Sequence, residues 1–499
     1  MKRQFAGLAG SMLLAATILS ACGGGEEQAA VLDDSQPYSL KLVVNQVGEA
    51  PTKGNEMEKA IMEYTNTNLD IQWVPASAYD EKVNVMIASE ELPQLIKLNY
   101  NSTTIGALKN NQFWEITPYL QDYPNLAAQS TKFYENISVD GKFYGIPLYR
   151  DLGRATLHYR KDWLDKLGLQ PPKTLEDWYE VQRAIAQDDP DGNGKADTYG
   201  LIFDKKYNQE AASTMTRLAV SQGAPNKWAV DAEGNFTPEF MTEPYYETMK
   251  LVKRLYEEKL INQDFAVVDT SEIDKLYESG RAGVRFAGGN AQSWQDKISK
   301  NVPDAVIDVT AVEGPEGRRL PGETGNAGFL AIPKKTVKTE EEMKRVLKFI
   351  DQLMDPPMAT LLVKGVEDRH WKDAGDVTEV LDRDLDLKEV KPYRDTLPNR
   401  NENYNVEKPA NQPDLFRKTQ QLVKENEEFI VPNPALTLDS AIYSERGKEL
   451  ELMITDAQTK FVMGQIDENG WQEAIKQWQK AGGDQLMAEY KASYLEANK

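Results

Sequence analysis

Residues 188–200 read Asp-Asp-Pro-Asp-Gly-Asn-Gly-Lys-Ala-Asp-Thr-Tyr-Gly, and their spacing is that of a cation loop. Side-chain oxygens fall at Asp189, Asp191, Asn193 and Asp197, every second position but one. The exception, Lys195, can offer its backbone carbonyl. Gly192 and Gly194 permit the sharp turns that wrap a chain around an ion. Hard oxygens alternating with turn residues suit Ca²⁺, which takes about six to eight oxygen ligands. The twelfth position, where a helix–loop–helix calcium site puts a bidentate Glu, is Gly200, and the run from Tyr199 to Phe203 reads as a strand. The alternative is a polar loop whose Asx side chains only turn the backbone. An ion held here is expected to be structural.

A loop of this kind needs a rigid mount. Thr174, with Asp177 three residues on, is a helix-capping pattern, and Leu175, Trp178, Val181 and Ile185 form one apolar stripe. That helix runs straight into the loop, so an ion would sit at its C-terminus, where peptide dipoles favour positive charge. Upstream, Ser39 to Val47 reads as a strand, 54–66 as a helix, and Leu69 to Val74 as an alternating strand. A helix from Ser77 to Ala88 and a short buried strand, Gln94 to Leu98, follow. Strands alternating with helices imply a mostly parallel sheet. Thr339 with Glu342 caps a later helix whose apolar face is Met343, Val346, Leu347, Ile350 and Leu353. The acidic stretch 373–395 is expected to be a surface excursion. The last hundred residues read as helical, anchored by Trp471 and Trp478.

The chain has 499 residues, too many for one core, so at least two lobes are expected. Its 58 Lys and Arg face 79 Asp and Glu, a formal charge of −21. That argues against nucleic acid as partner, which needs a basic face. One cysteine and two histidines come close to excluding a Cys/His zinc site or a Cys–His catalytic pair. The cysteine has another use. Lys2 and Arg3, the apolar run Leu8 to Leu19, and Leu19-Ser20-Ala21-Cys22 make a lipoprotein signal peptide with a lipobox. Residues 1–21 would be removed and Cys22 lipidated. Residues 22–37 would then form a flexible tether to the outer face of the cytoplasmic membrane.

Several segments together resemble family 1 extracellular solute-binding proteins, the substrate-capturing subunits of carbohydrate ABC importers. They are the lipobox, Ala88 to Ile96, the run Tyr144-Gly145-Ile146-Pro147, the run Tyr159 to Gly168 followed by Pro172, Thr174 and Trp178, and Arg281 to Val284. A narrower resemblance is to the large LipO/LplA-like lipoproteins and the alginate-oligosaccharide-binding proteins. It rests on the calcium loop after a capped helix, on Gly365 to Trp371, and on Lys460 to Gly464 followed by Trp471. Two positions depart from the pattern: Gln94 replaces the usual Asp, and Thr198 stands where related loops have an acidic ligand. Thr198 completes the candidate ligand set on this basis.

The resemblance implies an α/β, two-lobed fold of the periplasmic-binding-protein type (type II), with hinge-linked lobes and central mixed sheets flanked by helices. Residues 38–148 would form lobe 1, with about 287–350 returning to it. Residues 149–286 would form lobe 2 with the calcium loop, with about 351–499 returning to it. The implied function is to capture an oligosaccharide between the lobes and deliver it to permease subunits, as a monomer and without catalysis. A surface-anchored, calcium-dependent glycan-degrading enzyme and a ligand-binding partner of a membrane receptor are the alternatives.

A sugar cleft needs aromatic plates and side chains with several hydrogen-bonding groups. Aromatic residues at loops and segment joints are the candidates: Trp371, Trp294 after the Gly288-Gly289-Asn290 turn, Trp228, Tyr144 and Tyr100. Arg150, at the expected crossover, could pair a carboxylate. The acidic surface neither selects nor excludes a uronic acid.

Overall fold

In the computed structural model, residues 36–209, 213–400 and 405–498 are described. The signal peptide, Cys22 and nearly all of the tether lie outside them. The chain runs β1 (Tyr38–Gln46), α1 (Glu56–Thr65), β2 (Thr67–Pro75), β3 (Leu95–Leu98), β4 (Gly145–Tyr149), β5 (Thr156–Arg160), α2 (Leu175–Gln187), β6 (Val284–Ala287), β7 (Ile307–Ala311), β8 (Asn326–Ala331), α3 (Glu340–Gln352), α4 (Pro356–Lys364) and α5 (Asp414–Glu425), with further elements between and after them.

The first lobe is built on a five-stranded sheet in the order β2-β1-β3-β8-β4. β1 is parallel to β2 and β3, while β8 is antiparallel to β3 and β4. Burial follows strand position. β2, at the edge, alternates: Leu69 and Ile71 face in while Asn68, Asp70 and Gln72 face water. β3, in the centre, is buried at all four positions, Lys97 included. Leu40, Leu42 and Val44 of β1 face one apolar cluster and Val43 faces another, so helices cover the sheet on both sides. α3 supplies much of one side. Its capping box, Thr339 with Glu342, is formed, and Met343, Val346, Leu347, Ile350 and Leu353 are fully buried.

The second lobe has a three-stranded sheet in the order β6-β5-β7, antiparallel throughout, where a mixed sheet is expected from the sequence. Its strands come from distant parts of the chain, and each returns past β5 in the opposite direction. Leu157, Val284 and Phe286 face the larger cluster, which holds Trp163, Trp178, Trp471 and Trp478. Ile307 and Val309 face the smaller one with Trp294 and Tyr277. Both lobes are parts of one compact unit, Pro37–Lys499.

The lobe boundaries differ from the sequence expectation at two places. Residues 287–311 stay in the second lobe, where Ala291, Trp294, Ile298, Ile307 and Val309 share one cluster. The Gly-Gly-Asn joint at 288–290 is a helix start, with the Asn290 side chain accepting from Gln292 N at 2.9 Å, and not a crossing. Residues 351–397 stay in the first lobe, because Met358, Leu362, Val390, Tyr393 and Leu397 bury there with α3. The stretch 373–395 is thus only partly a surface excursion. The chain passes between lobes at 150–155 and 312–325, and Leu397 packs in the first lobe while Leu415 packs in the second.

Candidate functional site

β1, β3 and β4 all run toward the junction of the lobes, and their carboxyl ends open on a cavity of about 430 Å³. Crevices at strand carboxyl ends are where α/β proteins bind ligands, and this volume lies in the range of small-molecule sites. Asn45, Lys97, Tyr100 and Arg150 come from those strand ends, Asn326 and Gly328 from the start of β8, and Leu436 from a segment that packs in the second lobe.

The lining is rich in groups with unused hydrogen-bonding capacity. Lys97 Nζ donates to Asn45 Oδ1 at 2.7 Å. Asn136 Nδ2 donates to Thr324 O at 3.0 Å, and Asn326 Oδ1 accepts from Gly328 N at 3.0 Å. Asn45 and Asn136 are each oriented by one end, which leaves the other for sugar hydroxyls, while Asn326 also donates from Nδ2 to Thr324 O at 3.0 Å. Tyr100 supplies the aromatic surface, its hydroxyl donating to Ser138 O at 2.7 Å. Gly328 has φ +95, and a Cβ there would lie 2.6 Å from both Leu98 O and Lys97 Cε. Only glycine lets the start of β8 pass this close to the lysine stem.

Two charged groups set the field. Lys97 is 8% exposed, and its pKa is lowered to about 8, by burial first and by Arg150 second, with Asp80 opposing. Arg150 keeps solvent-exposed surface, yet its pKa is also lowered, by the cleft walls first and then by Arg154.

Of the residues expected to meet ligand, the structure brings Tyr100 and Arg150 together in this cavity. The others lie outside its lining. Trp294 is 4% exposed, packs edge-on against Tyr277 at 5.3 Å, and donates its Nε1–H to Tyr277 O at 3.1 Å. It has no face left for a sugar and is a core residue. Trp228 meets Phe236 and Tyr490 edge-on in the second lobe. Trp371 starts a short hairpin, its Nε1–H donating to Gly365 O at 2.9 Å, with Lys364 over its ring. Tyr144 is half-buried against the first lobe's core. Lys97 is missing from the sequence expectation. Its signal is a lone charge in Leu-Ile-Lys-Leu, an otherwise apolar central strand.

The 188–200 loop lies beyond α2, whose capping box of Thr174 and Asp177 is formed. Asp189, Gly192 and Gly194 hold φ +47, +73 and +77, which coils the chain on itself. Asp189 accepts from Asn193 N at 3.1 Å and Gly194 N at 3.0 Å. Asn193 Nδ2 donates to Asp191 Oδ2 at 2.8 Å and Asp197 Oδ1 at 3.0 Å, bridging carboxylates that would otherwise repel. The hydrogen bond from Gly194 N lowers the Asp189 pKa, while burial and then Asp189 raise that of Asp191. Among the described residues, no three His, Cys, Asp or Glu side chains are placed so that they could hold a metal ion. The donor chemistry nevertheless suits Ca²⁺, since every converging side chain carries a hard oxygen and, among the described residues, Asp191 has no cationic partner. Lys195 contributes its backbone N–H to Asn193 Oδ1 at 2.8 Å. Thr198 stands apart from this group: it is buried, and its hydroxyl donates to Ile185 O at 2.6 Å, closing the end of α2.

The family described as bacterial extracellular solute-binding protein matches residues 50–359. The chain is 35% identical over 492 residues to lipoprotein LipO of Bacillus subtilis (strain 168), covering 96% of this chain and 97% of that protein. It is 33% identical over 489 residues to the polygalacturonan/rhamnogalacturonan-binding protein YtcQ of the same organism, covering 96% of each. A solved structure of the Streptococcus pneumoniae ABC-transporter substrate-binding protein FusA, an EF-hand mutant in complex with fructo-nystose, has a TM-score of 0.69. It shares 19% identity and covers 92% of this chain and all of that one, a likeness of fold. With two relatives matched from end to end, the chain belongs to the bacterial extracellular solute-binding proteins.

Proposed function

We propose that this protein is the substrate-binding lipoprotein of a carbohydrate ABC importer. It captures an oligosaccharide between its lobes and delivers it to membrane permease subunits. The polar cavity at the junction of the lobes carries this reading: its amides, tyrosine and cations offer many hydrogen bonds to sugar hydroxyls. Tyr100 and Arg150 are assigned to ligand. Closure of the lobes about the bound sugar supplies the signal that the permease reads. The protein works as a monomer, tethered through lipidated Cys22 on the outer face of the cytoplasmic membrane. Among the described residues no helix is long and apolar enough to cross a membrane.

Ca²⁺ is assigned to the 188–200 loop as a structural ion. Asp189, Asp191, Asn193 and Asp197 would hold it with the Lys195 carbonyl, and the ion would neutralise the three carboxylates. The EF-hand named for FusA supports this.

The test is a thermal-shift screen of oligosaccharides. A ligand at a hundred times its Kd stabilises by about 2.7 kcal/mol through mass action. A panel of plant, algal and fructan oligosaccharides none of which raises the melting temperature would sink the carbohydrate reading. Reducing-sugar release by the pure protein would replace it with an enzymatic one.

A further inference from the structure

The relatives differ in the charge of the sugars they are named for, a galacturonan in one and a fructan in another, so relationship leaves that charge open. The cavity does not. We propose that the captured oligosaccharide is anionic, and that Lys97 and Arg150 select it by pairing a uronate carboxylate at the first-lobe wall. This rests on the capture role proposed above and names its substrate class.

The first observation is the position of Lys97. A central strand buried on both faces is normally Val, Ile or Leu, because an ammonium loses its hydration there. Lys97 is the one charge in β3, and among the described residues the only hydrogen bond of its ammonium goes to Asn45 Oδ1, a neutral acceptor. The start of β8 is shaped around its stem at Gly328. No carboxylate is within salt-bridge distance of it among the described residues.

The second observation is Arg150. Among the described residues its guanidinium makes neither a hydrogen bond nor an ion pair, although this chain carries 79 acidic residues against 58 basic ones. The carboxylates nearby are already engaged. Glu323 pairs Arg154 at 3.2 Å and Arg217 at 3.0 Å. Asp395, the one carboxylate among the described lining residues, pairs Lys391 and, at 3.8 Å, Arg394. Asp151 is taken by Arg400 at 3.6 Å. An acidic protein has thus left two cations without carboxylate partners at one wall of one cavity, near enough that the charge of Arg150 bears on Lys97.

A guanidinium offers two parallel N–H groups that match a carboxylate, and an ammonium beside it adds a third, charge-assisted donor. A neutral sugar would leave both cations facing hydroxyls, which compensate them poorly. The amides around them suit the hydroxyls of the same and neighbouring rings.

The full chain is titrated calorimetrically with tri- and tetrasaccharides of galacturonate, glucuronate and mannuronate, and with the carboxyl-reduced, neutral counterpart of each. The acidic form of at least one series is expected to bind about tenfold or more tighter than its neutral counterpart, the scale of one charge-assisted hydrogen bond. Arg150→Gln and, separately, Lys97→Met are expected to collapse that acid-to-neutral ratio about tenfold, and Arg150→Lys to restore part of it. Neutral forms that bind as tightly as acidic ones, or variants that leave the ratio where it was, overturn the assignment while the capture role stands. No binding by any sugar, acidic or neutral, would overturn the capture role itself.

Discussion

Lys97 shows how one residue can belong to the fold and the site at once. Its strand forms because Leu95, Ile96 and Leu98 bury, and the lysine is carried into the sheet with them. Its reduced basicity gives a pH signature. The free-protein pKa is near 8, set by burial, by Arg150 just after β4 and by Asp80 from the helix that precedes β3, with neutral Asn45 and Tyr79 beside it. An anion bound against it favours the ammonium and raises that value. Affinity for an acidic ligand is therefore full below about pH 8. It falls as the pH rises further, because binding must then take up a proton. Titration across this range in wild type and Lys97→Arg tests this: the fall should vanish in the variant, whose charge persists. Stability carries the opposite sign. The folded-state pKa lies below that of an unfolded lysine, so this residue destabilises the fold when charged and ceases to as the pH rises between the two. Among the aromatic residues, the lesson of Trp294 is that a tryptophan after a Gly-Gly-Asn turn can belong to a capped helix and point into the core. Local sequence does not separate that case from a cleft plate.

At the scale of elements, caps and stripes were the legible features. The capping boxes of α2 and α3 and both buried stripes match the sequence pattern, because they depend on residues three and four apart. Thr174→Ala removes the side chain that accepts from Asp177 N at 3.1 Å and should cost about 1 kcal/mol in denaturant unfolding. The loop after α2 gives a second prediction. If it holds Ca²⁺ as proposed, EDTA lowers the melting temperature, and Asp191→Ala does so too without abolishing oligosaccharide binding. Melting that ignores EDTA would remove the ion from the description. Thr198, expected among the ligands, instead ties the loop to α2 through Ile185, a contact between residues 13 apart that local spacing does not reveal.

For the whole molecule, the joints between lobes decide the function, and they are held by side chains far away in sequence. Asn426, fully buried, donates from Nδ2 to Gly153 O and Ala155 O, both at 3.0 Å, and so fixes the first crossing. Asn226 does the same for Gly322 O at 3.0 Å and Val431 O at 2.9 Å. Asn426→Ala leaves two buried carbonyls unpaired and should destabilise by about 1–3 kcal/mol. Chemical denaturation measures the loss, and small-angle scattering with and without ligand measures whether closure survives. The sequence by itself determined what rests on local order and composition: the α/β two-lobed class, the capped helices, the loop of alternating oxygens, the acidic balance and the family. The tertiary structure alone decided where the chain crosses between lobes, which aromatic residues are core, and that Lys97, Tyr100 and Arg150 share one cavity. The physical reason is that a cleft is made where strand ends from separate parts of the chain meet. The pairing of β8 with β3 and β4 that brings them together is long-range, and no periodicity in any one segment records it.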